Sequence, residues 1–350
     1  MNEAIPGFRG WLNTGTGRVP RVATTLTCAD RSGTWKVRWG IGRMNYMVPP
    51  GLYAIGSPTP DDPVLVTANY KMSFDALRRA LPGLDAWILV LDTRGINVWC
   101  AAGKGTFGTE ELVGRIQSSG LEQVVKHRKI ILPQLSGPGV AGYQVKKMSG
   151  FQAVYGPVRA QDLPAFLEAG CRATPEMRRK TFTLRERAVL IPVELVQALK
   201  PALVVMLAFF LLSGFGGSAG YGTNLGHQGP WSVLAILSAL LTGAVLTPLL
   251  LPWIPGRAFS LKGGILGLAS AWGLILLRGY FSGNGFHPLE GLAWLLLLPA
   301  ISAYLAMNFT GASTYTSLSG VKKEMRWAVP LEIAFGAAGL ICWISARFLY

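Results

Sequence analysis

Four cysteines are all that 350 residues contain, and they stand far apart at Cys28, Cys100, Cys171 and Cys342 with no CxxC spacing. That scarcity argues against a disulfide framework, a zinc site, or an iron–sulfur cluster held by this chain alone. Charge is scarce as well, but only in the second part of the chain. The first 200 residues hold 26 of the 33 basic and 15 of the 18 acidic side chains, leaving seven and three for the last 150. Moving charge into hydrocarbon is costly, so this division reads as a soluble half of about +11 followed by a membrane half. The opening "MNEAIPGFRGWLNTGTG" has an acid at position 3 and no apolar segment of the signal-peptide kind, so the charged half is expected on the cytoplasmic side.

Five apolar stretches, near 201–219, 231–251, 263–281, 289–307 and 328–346, approach the length of about 20 residues that a spanning helix needs. Before them, "TFTLRERAVLIPVELVQALKP" alternates Arg185, Arg187, Glu194 and Lys200 with aliphatics, which suggests an interfacial helix. Basic residues set the orientation. Arg257 and Lys262 in one loop, and Lys322, Lys323 and Arg326 in the loop at 308–327, fall on the same side as residue 200, with Arg278 and Arg347 opposite. Glu290 and Glu332 are expected near helix ends as interfacial carboxylates. The 308–327 loop is rich in hydroxyls (Thr310, Ser313, Thr314, Thr316, Ser317, Ser319) and reads either as a solvated connector or as a docking surface. The expected domains are residues 1–180, a linker helix at 181–200, and a five-helix transmembrane domain at 201–350.

In the soluble half, short apolar runs alternate with helical patterns: "VLVTA" (64–68), "SFDALRRAL" with Ser73 as N-cap, "AWILVLD" (86–92), "TEELVGRIQSS", "KIILP" (129–133), "GVAGYQVKKMS", "FQAVYG" (151–156) and "AQDLPAFLEAG". This predicts an α/β fold with a parallel sheet covered on both faces. Ligands in such folds sit beyond the carboxyl ends of the strands. That rim would carry Thr67, Asn69, the 97–108 segment, "LPQLSGPG" and "YGPV".

The 97–108 segment, "NVWCAAGKGTFG", decides the chemistry. Gly103, Gly105 and Gly108 match GxGxxG, but they come too far after the strand, and Glu110 and Glu111 would repel a pyrophosphate. A Walker A loop fails because Lys104 is followed by Gly, not Ser or Thr. A short helix is the better reading. Asn97 is a good N-cap, Cys100 falls at the third helical position, and Lys104 shares its face one turn on. The helix dipole and Lys104 both favour thiolate character at Cys100. Spacing alone leaves a second reading open, in which Cys100 is a small buried core residue.

The run "GINVWCAAGKGTFGTEEL" resembles the cap-helix signature of the membrane-anchored corrinoid proteins of mercury methylation, the HgcA family. "PVLVTANYKMSFDALRRAL", "LPQLSGPGV" and "NFTGASTYTSLSGVKKEM" resemble further segments of that family. The resemblance implies a Rossmann-like corrinoid-binding α/β domain, similar to that of the acetyl-CoA pathway corrinoid iron–sulfur protein, followed by an all-α transmembrane domain of five helices. It implies that Cys100 is the lower axial ligand to the cobalt of a cobalamin-type corrinoid and the residue on which catalysis rests. Asn97 would position the helix, and Val98, Trp99, Ala101 and Lys104 would shape the lower face. Thr67 and Ser73 would border the ring, Ser73 standing where Thr was expected, and Ser136, Gly137, Gly139, Val140 and Gly156 would meet its periphery or tail.

The implied activity is a corrinoid-dependent methyltransferase that passes a methyl group to Hg(II), a soft acceptor suited to a site with a soft thiolate donor. The implied partners are a ferredoxin-like protein with two [4Fe-4S] clusters, a folate-type methyl donor system and membrane lipid, with no nucleic acid. The expected location is the inner (cytoplasmic) membrane, multi-pass. Two alternatives stand beside this reading: a methyl carrier for another acceptor in one-carbon metabolism, and a membrane receptor or transporter with a ligand-sensing domain. Cys28, Cys171 and Cys342 are expected to be structural.

Overall fold

A computed structural model describes residues 5–216, 219–282, 286–309 and 318–349. The chain forms two compact units, Met1–Val37 with Ile41–Thr181, and Arg38–Gly40 with Phe182–Tyr350.

The first unit is a mixed α/β sheet domain. Seven strands lie in the order β1-β2-β3-β5-β4-β6-β7, with ranges Phe8–Thr14, Gly17–Val22, Gly51–Ile55, Val64–Ala68, Ala86–Leu91, Lys129–Leu132 and Gln152–Tyr155 for β1 to β7. β5, β4, β6 and β7 run parallel to one another, in keeping with the alternating pattern. The expected all-parallel sheet is corrected at its other side. β3 pairs antiparallel with β5, and β1 and β2 form an antiparallel hairpin at the edge. These strands escape sequence reading because β1 and β2 are half-exposed and rich in Arg and Gly rather than continuously apolar.

Period-two alternation sorts the central strands onto two cores. Val64, Val66 and Ala68 of β4 with Trp87, Leu89 and Leu91 of β5 pack against α3 (Val98–Lys104), α4 (Thr109–Ser118), α5 (Leu121–Val124) and α6 (Gly142–Ser149). Leu65 of β4 with Ile88 and Val90 of β5 pack against α2 (Lys71–Arg79) and α7 (Leu163–Glu168). Burial on both faces explains why these strands read as unbroken apolar runs.

A buried ion cluster ties α1 (Cys28–Arg38) to α2. Lys71 and Arg78 each reach both Asp30 and Asp75, at 2.5–2.7 Å, and Arg78 also donates to the Ala23 and Thr25 carbonyls. Burial by itself would raise the Asp30 carboxyl, but hydrogen bonds from Lys71, Thr27 and Arg78 outweigh it and hold the group well below the carboxylate range. Burial would likewise lower Lys71, and Asp30 and Asp75 more than offset it, so its ammonium is held above its ordinary value.

The second unit is helical: α8 (Leu184–Ala188), α9 (Ile191–Leu212), α10 (Tyr221–Leu241), a π-helical turn Thr242–Leu246, α11 (Thr247–Leu250), α12 (Phe259–Ser282), α13 (Pro288–Asn308) and α14 (Leu318–Phe348). Five segments are long and apolar enough to cross a membrane, Leu184–Leu212, Tyr221–Leu250, Phe259–Phe281, Pro288–Asn308 and Gly320–Phe348. Several local expectations are revised. α9 runs unbroken through Pro201, so the region read as a separate interfacial helix is largely continuous with the first span. Lys262 lies inside α12, buried, donating to the Leu251 carbonyl at 2.5 Å, and Lys322, Lys323 and Arg326 belong to α14 rather than to a loop.

Glu290 stands in the first turn of α13, near a helix end as expected, but it is not solvated: it is 3 % exposed, accepts from Arg347, and lies 3.9 Å from Arg278. The two basic residues read as flanking charges are its partners, which is how charge is tolerated inside such a bundle. Glu332 lies mid-helix in α14 rather than near an end. The hydroxyls at 310–317 lie outside the described residues.

Candidate functional site

The carboxyl ends of β4, β5, β6 and β7 form one rim, and the expected helix stands on it. α3 spans Val98–Lys104, with Asn97 extended at φ −64° and ψ 160° as N-cap. Its Oδ1 accepts from the Cys100 N–H at 2.9 Å, so the cap bond is made to the residue in question. Ala101 and Ala102 face the core, Val98 packs against its edge, and Cys100 is partly exposed with a free thiol. The core-cysteine reading does not describe this position, because the buried side of the helix belongs to the alanines. Gly105, at φ +80°, ends the helix in a left-handed cap that favours glycine, and Lys104 is exposed beside it.

The loop entering α3 is held by a residue whose weight sequence reasoning missed. Asn69, just beyond β4, is 3 % exposed. Its Oδ1 accepts from Thr93 N at 3.1 Å, Thr93 Oγ1 at 2.9 Å and Gly95 N at 3.0 Å, while its Nδ2 donates to Asp92 at 3.1 Å. Arg94 and Gly95 are both left-handed, at φ 56° and 69°, a conformation that suits Gly95 and costs Arg94, and Asn69 pins the loop on either side of Arg94. A Cβ on Gly95 would meet the Met47 Cγ and Sδ at 2.8 Å, so glycine is required there twice over. The only signal in the sequence is a polar residue directly after an apolar strand.

The loop after β6 closes the back of α3. The 3-10 turn Gln134–Ser136 packs on the helix, and a Cβ on Gly139 would lie 2.2 Å from the Phe107 carbonyl oxygen and 2.9 Å from Ala102 Cα. Ser136 is buried and donates to the Pro133 carbonyl at 2.8 Å. Tyr155 donates to the Val140 carbonyl at 2.6 Å, and burial raises its phenol above the ordinary value, keeping it a donor. Gly137 remains exposed.

The predicted site residues therefore separate into two groups. Asn97, Val98, Trp99, Cys100, Ala101, Lys104 and the Ser136–Val140 loop assemble on the α3 side of the sheet. Thr67, 2 % exposed, alternates onto the α2 side with Leu65, and Gly156 is buried against Ile131, Leu132 and Leu163. Ser73 does not cap α2. The helix begins at Lys71 with Tyr70 as N-cap, and Ser73 lies one turn inside. A hydroxyl before an apolar periodic run marks an N-cap, but the main chain turns into the helix earlier, where Tyr70 bridges to Met47.

Among the described residues, no group of three or more His, Cys, Asp or Glu is placed to hold a metal ion. A lone, partly exposed thiol can serve a metal only as one ligand among several, the others being brought by a cofactor. That single donor fits a metal whose other ligands a bound cofactor would bring and does not fit a metal held by the described side chains alone.

Residues 42–166, which contain this entire rim, match the family model of the CO dehydrogenase/acetyl-CoA synthase delta subunit. The likeness is confined to the α/β unit. Relatives include the acetyl-CoA decarbonylase/synthase complex subunit gamma of Methanopyrus kandleri, 34 % identical over 123 residues (35 % of this chain, 26 % of the relative). The subunit of the same name from Archaeoglobus fulgidus is 30 % identical over 128 residues (36 % and 27 %). That of Methanocaldococcus jannaschii is 35 % identical over 91 residues (25 % and 19 %). The chain thus spans about a quarter or less of the length of these relatives, and its five membrane-length helices lie outside the family match.

Proposed function

We propose that this chain is a membrane-anchored, Rossmann-like corrinoid protein of the HgcA kind, a methyltransferase that passes a methyl group to Hg(II) to form methylmercury. The observation that carries the reading is the Asn97-capped helix presenting Cys100 at the strand rim, on a chain that also has five membrane-length helices. When bound, the corrinoid would supply a methyl group on its cobalt for transfer. The chain's own contribution would be to hold one soft donor, the Cys100 sulfur, as a protein ligand to that cobalt. Asn97 fixes the turn that carries it, Ala101 and Ala102 anchor the helix to the core, and Val98 and Trp99 form the first turn that leads to it. Lys104 places a positive charge one turn on. Residues 136–140 border the same side, where they would meet the edge of the ring or its tail.

Four scattered cysteines cannot supply an iron–sulfur cluster and the axial ligand together, so the reading assigns electron delivery to a ferredoxin-like partner with two [4Fe-4S] clusters. A folate-type system would supply the methyl group. The reading places the protein in the cytoplasmic membrane, with the α/β unit on the cytoplasmic face by the distribution of Lys and Arg. A second reading, a corrinoid methyl carrier for another acceptor, is favoured by the likeness to subunits of the acetyl-CoA decarbonylase/synthase complex.

The test uses the full chain purified without oxygen. Cobalt content and the absorbance spectrum are measured first, then methylmercury formed on adding Hg(II) to the methylated protein. Cys100→Ala should fold, shift the spectrum and reduce methyl transfer to background, and Cys100→Ser should retain little. A colourless chain that takes up no corrinoid would remove both readings. Normal cobalt loading without transfer to Hg(II) would leave the carrier, and a Cys100→Ala protein with unchanged spectrum and turnover would return the thiol to a structural role.

A further inference from the structure

We propose that the segment from Arg31 to Met47 docks the α/β unit onto a lipid surface bearing anionic headgroups. The segment exposes large apolar side chains that the fold leaves uncovered: Trp35 is 66 % exposed, Ile41 63 %, Met44 75 % and Met47 42 %. Isolated exposed apolar residues are ordinary, but five within so short a stretch, counting Trp39 at 43 %, mark a contact surface. Their charge surroundings choose the occupant. On the α/β unit, Arg31, Lys36 and Arg43 accompany them, residues 31–48 contain no acidic side chain, and the acid just before them, Asp30, is buried and engaged by Lys71 and Arg78. Trp beside Lys and Arg is the composition that settles at the level of lipid headgroups.

The surface is also pre-organised. Asp30 and Val37 face inward on α1 while Arg31 and Trp35, one turn apart, face outward. The Asp30 cluster fixes that rotation, and the Val48 N–H to Asn69 carbonyl and Lys71 N–H to Tyr46 carbonyl bonds, 2.9 and 3.0 Å, fix the far end. Lipid is always within reach, because the same chain carries five membrane-length helices. Met47 touches Gly95 in the loop entering α3, so docking would hold the Cys100 rim close to the bilayer surface. The inference does not depend on what that rim binds.

The full chain is reconstituted in nanodiscs of phosphatidylcholine with phosphatidylglycerol, and in discs of phosphatidylcholine alone. Met44→p-benzoylphenylalanine is irradiated and the protein mass measured, with Tyr143→p-benzoylphenylalanine, equally exposed at 75 % on α6, as the control. Position 44 should gain the mass of one phospholipid and position 143 should not. The adduct should form more in discs containing phosphatidylglycerol, and fall about fivefold or more in Lys36→Glu/Arg43→Glu, as expected for loss of basic residues near an anionic surface. The proposal is overturned by no adduct, by crosslinks to protein only, by equal lipid adducts at both positions, or by a yield indifferent to both lipid charge and charge reversal.

Discussion

Replacing Asn69 by Ala removes the acceptor for the N–H groups of Thr93 and Gly95, in a loop where Thr93 is fully buried. A buried donor left without a partner costs roughly 1–3 kcal/mol. Two such groups, with some relief from water at the half-exposed Gly95, give about 2–4 kcal/mol. The loss falls on the left-handed pair Arg94–Gly95 and the helix it launches, not on the sheet, because the strands keep their own ladder. In opening equilibria this is a factor of about 30 to about 1,000. Peptide-resolved hydrogen exchange should show that loss of protection over residues 93–101, while β4 and β5 stay protected. Asn97→Ala, which removes a single cap bond, should cost about 1 kcal/mol, with the change confined to α3. Asn69→Asp restores the acceptor but sets two carboxylates together at Asp92, so it should recover only part of the protection. If Asn69→Ala leaves exchange at 93–101 within about threefold of the parent, the loop is held by something else and the assignment of Asn69 is wrong.

Removing Arg78 in Arg78→Met strands Asp30 and Asp75 without their buried partner and should cost about 3–5 kcal/mol in denaturant unfolding of the α/β unit. In the parent, the stability owed to Asp30 is present above its unfolded value near 3.8 and fades as pH falls through its lower folded value. That owed to Lys71 is present below 10.5 and fades as pH rises through its higher folded value, so melting should show a plateau between about pH 4 and 10. Gly139→Ala forces a methyl group against main-chain atoms of Phe107 and Ala102; it should cost roughly 1–3 kcal/mol and raise the labelling rate of the Cys100 thiol. Glu290→Gln leaves Arg278 and Arg347 facing each other without a carboxylate, and melting in detergent should show a loss of about 3–5 kcal/mol.

Local chemistry made much of this protein readable in one dimension. The parallel strands β4, β5 and β6 appear as apolar runs because both their faces are buried, and the five long apolar segments appear because hydrocarbon admits little else. Asn97 and its helix were visible because an N-cap bond spans only three residues. The edge hairpin was not visible, since its half-exposed strands mix Arg and Gly with apolar residues, and the direction of the short, buried β3 is set only by its antiparallel pairing with β5. The partners of the charges were hidden for a related reason. Glu290 stands at its helix start as expected, but Arg347 reaches it from 57 residues away, and Lys71 and Arg78 meet Asp30 only because folding brings α1 to them. Asn69 likewise gains its role from main-chain donors 24 and 26 residues on. Periodicity and capping are properties of neighbouring residues, so the sequence determined which elements form and where Cys100 sits on its helix. Which polar groups satisfy one another depends on where folding brings distant segments, and only the tertiary structure decided that.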